Sequence, residues 1–357
     1  MDFLSTRLSD FLQHAKNVVY IPFSPGSRIY VLYLASSVAI AFLVYLKVRT
    51  AHPQAHKSFL RFLFPAKVWS NPSAWLDVRY FFFTQFFGQF LLLGLTSIAS
   101  LAAFRLVTGF AAYEDIPIAT ALTGWKGSAL AVGFMFISFI VSDFVSFYMH
   151  YLQHKVSFLW QFHKVHHSAE VMHPLSNFRE HPMDNLVYMS MIGLSYGVVT
   201  GLSVNLIGYV PGMPTLLGLP ILMFLFNIMG YNLRHSHVWL RWPGVWSKVF
   251  PSPAHHHVHH SCHPDHLDKN FAFLFPVWDV LFRTYVMPED NRDVKFGVTE
   301  KDKGHELNSC VKLYALPIRD AWRVLFRKRN LDLAEGAARD LAPSGPKANA
   351  VTGRGGS

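Results

Sequence analysis

Five stretches of this chain are apolar for long enough to cross a bilayer, and this limits its possible folds more than any other feature. A crossing takes about 20 residues in helical form, because the hydrocarbon core offers the backbone no water to bond. The stretches run from Arg28 to Val48, Arg79 to Val107, Gly127 to Tyr148, Asn185 to Val210 and Thr215 to Tyr231. The second is long enough to tilt, or to bend near Gly88. The last two are joined by "PGMP" at Pro211 to Pro214, which cannot continue a helix and predicts a tight turn. Charged residues make up only 15% of the chain against 51% hydrophobic, too few to cover a soluble surface. The expected fold class is an all-α integral membrane protein, with about four to five transmembrane helices and a helical cap on the cytoplasmic side.

Charge sets the expected orientation. Lys47, Arg49, Lys57, Arg61 and Lys67 follow the first stretch, whereas Glu114 and Asp115 lie between the second and third, with Lys126 at the edge. The positive-inside rule places the first of these loops in the cytoplasm. Five crossings then put the N-terminus outside and carry the third stretch, ending at His150, and the fifth, ending near His235, to the cytoplasmic face.

Four regions follow: an interfacial segment over 1–27, a membrane-embedded region over 28–290, a cytoplasmic segment over 291–331 and a disordered tail over 332–357. Leu4, Leu8, Phe11, Leu12, Ala15 and Val19 recur at helical spacing in the first, which lacks the marks of a secretory signal. The tail is Ala- and Gly-rich. A formal charge of +10 suits anionic headgroups or an acidic protein partner; no basic-aromatic module points to nucleic acid. Cys262 and Cys310 fall in the cytoplasmic part and are expected to stay reduced. The C-terminus carries no basic retrieval-like signal, which favours a bacterial inner membrane over an endoplasmic reticulum.

Sixteen of the 20 histidines fall between His150 and His266. His150 and His154 are about one helical turn apart, so both leave one face. His163, His166 and His167 repeat that selection with offsets of three and four, and so do His256, His259 and His260. His235 closes the fifth stretch. A lone histidine is ordinarily a solvated or capping residue; three spaced clusters on one predicted face are not. Repeated H-x-x-x-H and H-x-x-H-H elements are what two neighbouring metal ions need, because no single helix can surround an ion. His14, His52, His56, His255, His257, His263, His266 and His305 read as ordinary residues, and Cys262 is a poorer ligand here than imidazole.

These motifs resemble those of the fatty acid hydroxylase / sterol desaturase superfamily, membrane-bound, histidine-rich di-iron enzymes, over roughly Gly127 to Met287. "DFVSFYMHYLQH" at Asp143, "LWQFHKVHHS" at Leu159, "NFREHP" at Asn177, "RHSHV" at Arg234 and "PAHHHVHHS" followed by "NFAFLFPVWDVLFRTY" carry the likeness. Two positions depart from it: His237 stands where Asn is usual, and Arg283 where Gly is usual. The resemblance implies His150, His154, His163, His166, His167, His235, His256, His259 and His260 as metal ligands, with His181 a tenth and His237 either beside the site or a ligand. Asp143 lies two helical turns before His150. It is expected to accept an imidazole N–H and fix the ring tautomer, or else to be a polar residue near the headgroups.

The implied chemistry is O₂-dependent hydroxylation, in preference to desaturation, of a C–H bond in a membrane lipid such as a sterol or an acyl or alkyl lipid. Two Fe ions would supply it; Zn would fit the same imidazoles but performs no redox step. No dinucleotide, haem or iron–sulfur motif is present. Electrons from NAD(P)H would therefore arrive through a separate ferredoxin, rubredoxin or b-type cytochrome, an acidic donor steered by the basic face. The Phe-rich second stretch and Met189, Met191, Met223 and Met229 are candidates for a lipid channel. Two rival readings are a divalent metal transporter, which would carry ionisable groups at mid-membrane, and a non-catalytic lipid-binding relative, which would have broken motifs.

Overall fold

A computed structural model describes residues 13, 16–51, 58–88, 94–116, 122–289 and 294–340. The main helices are α1 (Val31–Ala51), α2 (Pro72–Phe83), α3 (Leu95–Thr108), α4 (Gly124–Lys155), α5 (Ser157–His167), α6 (Pro182–Ile207), α7 (Ile221–Ile228), α8 (Pro253–His259), α9 (Val277–Leu281) and α10 (Cys310–Asp340). Among the described residues, four segments are long and apolar enough to span a bilayer: Val31–Ala51, Leu95–Asp115, Gly124–Lys155 and Pro182–Ile207.

Two of the five expected crossings are built differently. The stretch from Thr215 to Tyr231 is not a span. Thr215–Leu216 and Leu219–Pro220 pair antiparallel around Leu217 and Gly218, both at positive φ, as in a type I′ hairpin. Only the eight residues of α7 that follow are helical, too few to cross a bilayer. The stretch from Arg79 to Val107 is interrupted. α2 runs into a π-helical turn at Thr84–Gly88, and α3 restarts after Gly94 at φ +75°. Residues 89–93, between these two elements, lie outside the described residues.

α3 packs along α6 at backbone distance. Gly193, Gly197 and Gly201 repeat every four residues on one face of α6, and that face meets Thr96, Ala99, Ser100, Ala103 and Val107. Small residues allow such an approach between helices in lipid. At the other end of α6, Pro182 takes the first helical position and the Asp184 carboxylate lies in the first turn, favourable for the backbone dipole.

The described residues from 294 onward pack into the fold. Leu307 and Leu313 are buried with Leu76, Tyr80 and Val165, so α10 clamps α5 against α2. Lys164 of α5 is buried and paired with Asp320 at 3.0 Å. α10 runs on to Asp340, into the stretch assigned to the tail; residues 341–357 lie outside the described residues. Of the N-terminal positions read as an interfacial helix, only Val19 is described, and it is exposed on a helical turn.

Lengthening the contact at Gly197 tests the α3–α6 pairing. Gly197→Leu would drive a side chain into the Ser100 carbonyl and Ala103. It is expected to lower stability by roughly 1–3 kcal/mol, read as a fall in the thermal unfolding midpoint in detergent. An unchanged midpoint would contradict the packing.

Candidate metal centre

Four separate parts of the chain supply the clustered histidines. α4 is 32 residues long. His150 lies about 39 Å along it, more than the ~30 Å thickness of a hydrocarbon core, and shares one side of the last turns with His154. Val156 leaves helical geometry, and the chain turns into α5, which carries His163, His166 and His167. His235 follows the 3₁₀ turn Tyr231–Leu233. Pro253 and the Ser252 cap start α8, which presents His256, His259 and His260.

These nine rings form two adjoining groups. His150, His154, His163, His167 and His259 make one; His166, His235, His256 and His260 make the other, and within each the ligand atoms lie within 4.8 Å of one another. His167 stacks on His260 across the boundary at 4.4 Å between centroids.

Five of the nine rings are anchored through Nδ1. His150 bonds the Phe271 carbonyl at 3.0 Å and His259 the Lys269 carbonyl at 2.9 Å. His163 donates to Asp184 at 2.9 Å, and Gln153 holds that carboxylate's other oxygen at 2.7 Å. His154 faces Asp268 at 3.3 Å. His235 lies 3.1 Å from Ser176 Oγ, whose own proton goes to the His173 carbonyl. With Nδ1 carrying the proton, Nε2 presents a lone pair to the interior.

The interior atoms are the test of whether metal fits. His163 Nε2, His166 Nδ1, His259 Nε2 and His260 Nδ1 are buried without a hydrogen-bond partner among the described residues. His256 Nε2 lies 2.9 Å from His235 Nε2 and 3.0 Å from His260 Nε2; His154 Nε2 lies 3.1 Å from His167 Nε2. Burial pushes His163 and His166 down to about 3, and holds His167, His235, His256, His259 and His260 well below the ordinary imidazole value. A cation between these neutral rings would satisfy the four unpartnered nitrogens. The donor set fits two metal ions that accept nitrogen ligands.

Three expected site residues sit elsewhere. His181 joins neither group, because both its nitrogens are used: Nδ1 accepts from the Met183 N–H as the cap of α6, and Nε2 bonds the Tyr314 carbonyl at 3.0 Å. His237 also lies outside the groups and donates to the Phe62 carbonyl at 2.6 Å. Asp143 accepts no imidazole N–H. It holds the backbone N–H groups of Leu274 and Phe275 and the indole of Trp278, at 2.7, 3.1 and 2.8 Å.

Sequence reasoning missed Asp184 and Asp268, the carboxylates that do face the rings. It also missed His173, which with Arg179 brackets the buried Asp77 at 3.2 and 2.6 Å and ties this loop to α2. His255 bonds the Ser252 cap and His257 the Leu233 carbonyl.

A cavity of about 510 Å³ opens from His150, His163, His166, His235 and His256 and runs between α4 and α6. Of the proposed channel methionines, Met189 and Met223 line it; Met191, Met229 and the described part of the Phe-rich stretch do not.

Asp184→Asn leaves one acceptor oxygen for two donors, Gln153 and His163, and is expected to weaken metal binding about 10–100-fold in chelator competition. His181→Gln should leave metal content unchanged, and the reverse pattern would contradict the assignment. Acid gives a second test. Unfolded, His163 and His166 titrate near the ordinary 6.5, so between that value and about 3 the unfolded chain binds more protons. Stability of the metal-free protein is thus fully present above pH 6.5 and falls as pH drops through this window. The unfolding midpoint measured against pH should show that slope; a flat profile from pH 7 to 4 would contradict it.

Residues 135–284 match the family model described as fatty acid hydroxylase. Alkylglycerol monooxygenase of Danio rerio is 26% identical over 207 residues, covering 57% of this chain and 39% of that protein. The Homo sapiens alkylglycerol monooxygenase is 25% identical over 211 residues, covering 57% and 43%. An ornithine lipid hydroxylase of Rhizobium tropici is 26% identical over 167 residues, covering 46% and 45%. The chain spans less than half the length of each of these relatives. No solved structure matches. The matched segment contains all nine converging histidines, and over it the chain is similar to the fatty acid hydroxylase family.

Proposed function

We propose that this protein is a membrane-bound di-iron monooxygenase that hydroxylates a C–H bond of a membrane lipid with O₂. The observation that carries the reading is the contact between the two imidazole groups and a long, largely apolar cavity beside the spanning helices. A lipid substrate is also what the names of the alkylglycerol and ornithine lipid relatives suggest.

Two irons held by the nine histidines would supply the redox chemistry: O₂, two electrons and two protons yield one hydroxyl on the lipid and one water. The chain's own residues do the rest. The Nδ1 anchors keep His150, His154, His163, His235 and His259 in one tautomer, so their Nε2 lone pairs stay aimed inward. Phe139, Ile192 and Met223 line the cavity and offer an alkyl chain an apolar bed that excludes water. No cofactor motif lies in the sequence, so the reading includes a separate ferredoxin, rubredoxin or b-type cytochrome drawing on NAD(P)H. The net charge of +10 supports an acidic donor. We place the site on the cytoplasmic side of a bacterial inner membrane, from the basic loop after α1.

Mass spectrometry of lipids from cells expressing the protein tests the reading, with His259→Ala as control and metal analysis alongside. The expected result is a lipid that gains one oxygen atom, formed with iron and lost in the variant. Loss of two hydrogens instead would indicate desaturation. No product from an iron-loaded, reduced enzyme, or the same product from His259→Ala, would overturn it.

A further inference from the structure

α10 presents three different sides. Leu313, Pro317 and Ala321, four residues apart, are buried on the side that packs on α5 and α2. A second side is apolar and bare. Val311, Ile318, Trp322 and Leu325 are 66%, 53%, 63% and 50% exposed, and Ala315 is exposed among them. Their alternating offsets of four and three keep these five residues in one stripe over about four turns. The third side is basic. Lys312 follows Val311, Arg319 follows Ile318 and Arg323 follows Trp322, so each base lies about 100° round the helix from an apolar neighbour.

The basic side keeps an excess of charge. Asp320 is the one acid between Cys310 and Phe326, and buried Lys164 holds it at 3.0 Å. Arg319 and Arg323 reach the same carboxylate at 2.9 and 3.7 Å. Glu306, just before the helix, meets Lys303 at 3.6 Å and Arg319 at 3.4 Å. Four cations thus share two carboxylates, while Lys312 bonds the Asn308 side-chain oxygen. Arg327, Lys328 and Arg329 follow in the sequence before the next acid, Asp332. The helix also starts beside the spanning helices. Tyr314 packs on Phe83 at 5.1 Å, at the end of α2, and its carbonyl bonds His181, the cap of the span α6.

We propose that α10 seats on an anionic bilayer surface, with the stripe from Val311 to Leu325 sunk among the lipids and Lys312, Arg319 and Arg323 on their headgroups. Amphipathic helices with a basic side bind lipid in this manner, and an indole such as that of Trp322 favours the boundary between headgroup and acyl chain. A second copy of the chain is the other occupant that offsets of four and three suit. Charge decides against it. Two such helices face to face would bring their basic rows together, and neither flank of the stripe carries an acid to pair with them. The seat holds α5, and with it His163, His166 and His167, at the rim of the bilayer. It is independent of the hydroxylase reading.

Full-length protein in nanodiscs tests this, with quenching of indole fluorescence by phospholipids brominated near the carbonyl end of their acyl chains. Bromine quenches indole only in contact, so the share of quenching lost in Trp322→Phe reports Trp322 alone. That share should be larger in phosphatidylglycerol mixed with phosphatidylcholine than in phosphatidylcholine alone. Raising salt from about 0.1 M to about 1 M, which shortens the screening length from about 10 Å to about 3 Å, should shrink the difference. Lys312→Gln with Arg323→Gln should shrink it too, since each exposed cation near an anionic surface strengthens association about fivefold. No Trp322 share in either bilayer, or an equal share in both, would overturn the proposal. So would a dimer, seen by native mass spectrometry, that Trp322→Ser converts to monomer.

Discussion

Nine uncharged imidazoles, six of them buried, gathered into two adjoining groups, set the terms for the rest of this structure. His163 Nε2, His166 Nδ1, His259 Nε2 and His260 Nδ1 are buried without a hydrogen-bond partner among the described residues, a costly state unless a cation meets them. The surrounding fold has to hold the rings in that arrangement. That need explains why the cage sits at the end of α4, where α10 covers α5.

The holding is done by a strap, residues 268–285, laid across the end of α4. Asp268 and the carbonyls of Lys269 and Phe271 anchor His154, His259 and His150. The strap is itself pinned by two buried carboxylates. Asp143 gathers the N–H groups of Leu274, Phe275 and Trp278; Asp279 gathers those of Phe271 and Ala272 and the Thr284 hydroxyl. Asp143 therefore acts on His150 through the backbone of the strap, not through an imidazole. At the strap's close Arg283 stands at φ +59°, a conformation that costs an L-residue about 1–2 kcal/mol and that the glycine usual at this position adopts freely.

Much of this was legible in the sequence because helical periodicity is. The offsets of three and four that place His163, His166 and His167 on one face, and His256, His259 and His260 on another, are realised on α5 and α8. What hydropathy cannot report is backbone direction. Thr215 to Tyr231 is apolar enough for a span, yet the Leu217–Gly218 turn folds it into a hairpin and a short helix. Spacing also cannot say which nitrogen of a histidine is free. His181 sits beside the clusters in sequence, but Pro182 makes it a helix cap and its lone pair goes to Met183. Asp184 escaped notice for a similar reason: an acid in a helix's first turn is ordinary, and only the tertiary fold brings His163 to it.

The central claim is that distant segments converge to hold two metal ions side by side. Anomalous diffraction from crystals of the iron-loaded protein tests it most directly. It should show two peaks per chain, one bounded by His150, His154, His163, His167 and His259 and the other by His166, His235, His256 and His260. A single peak, or metal held outside these rings, would contradict the account.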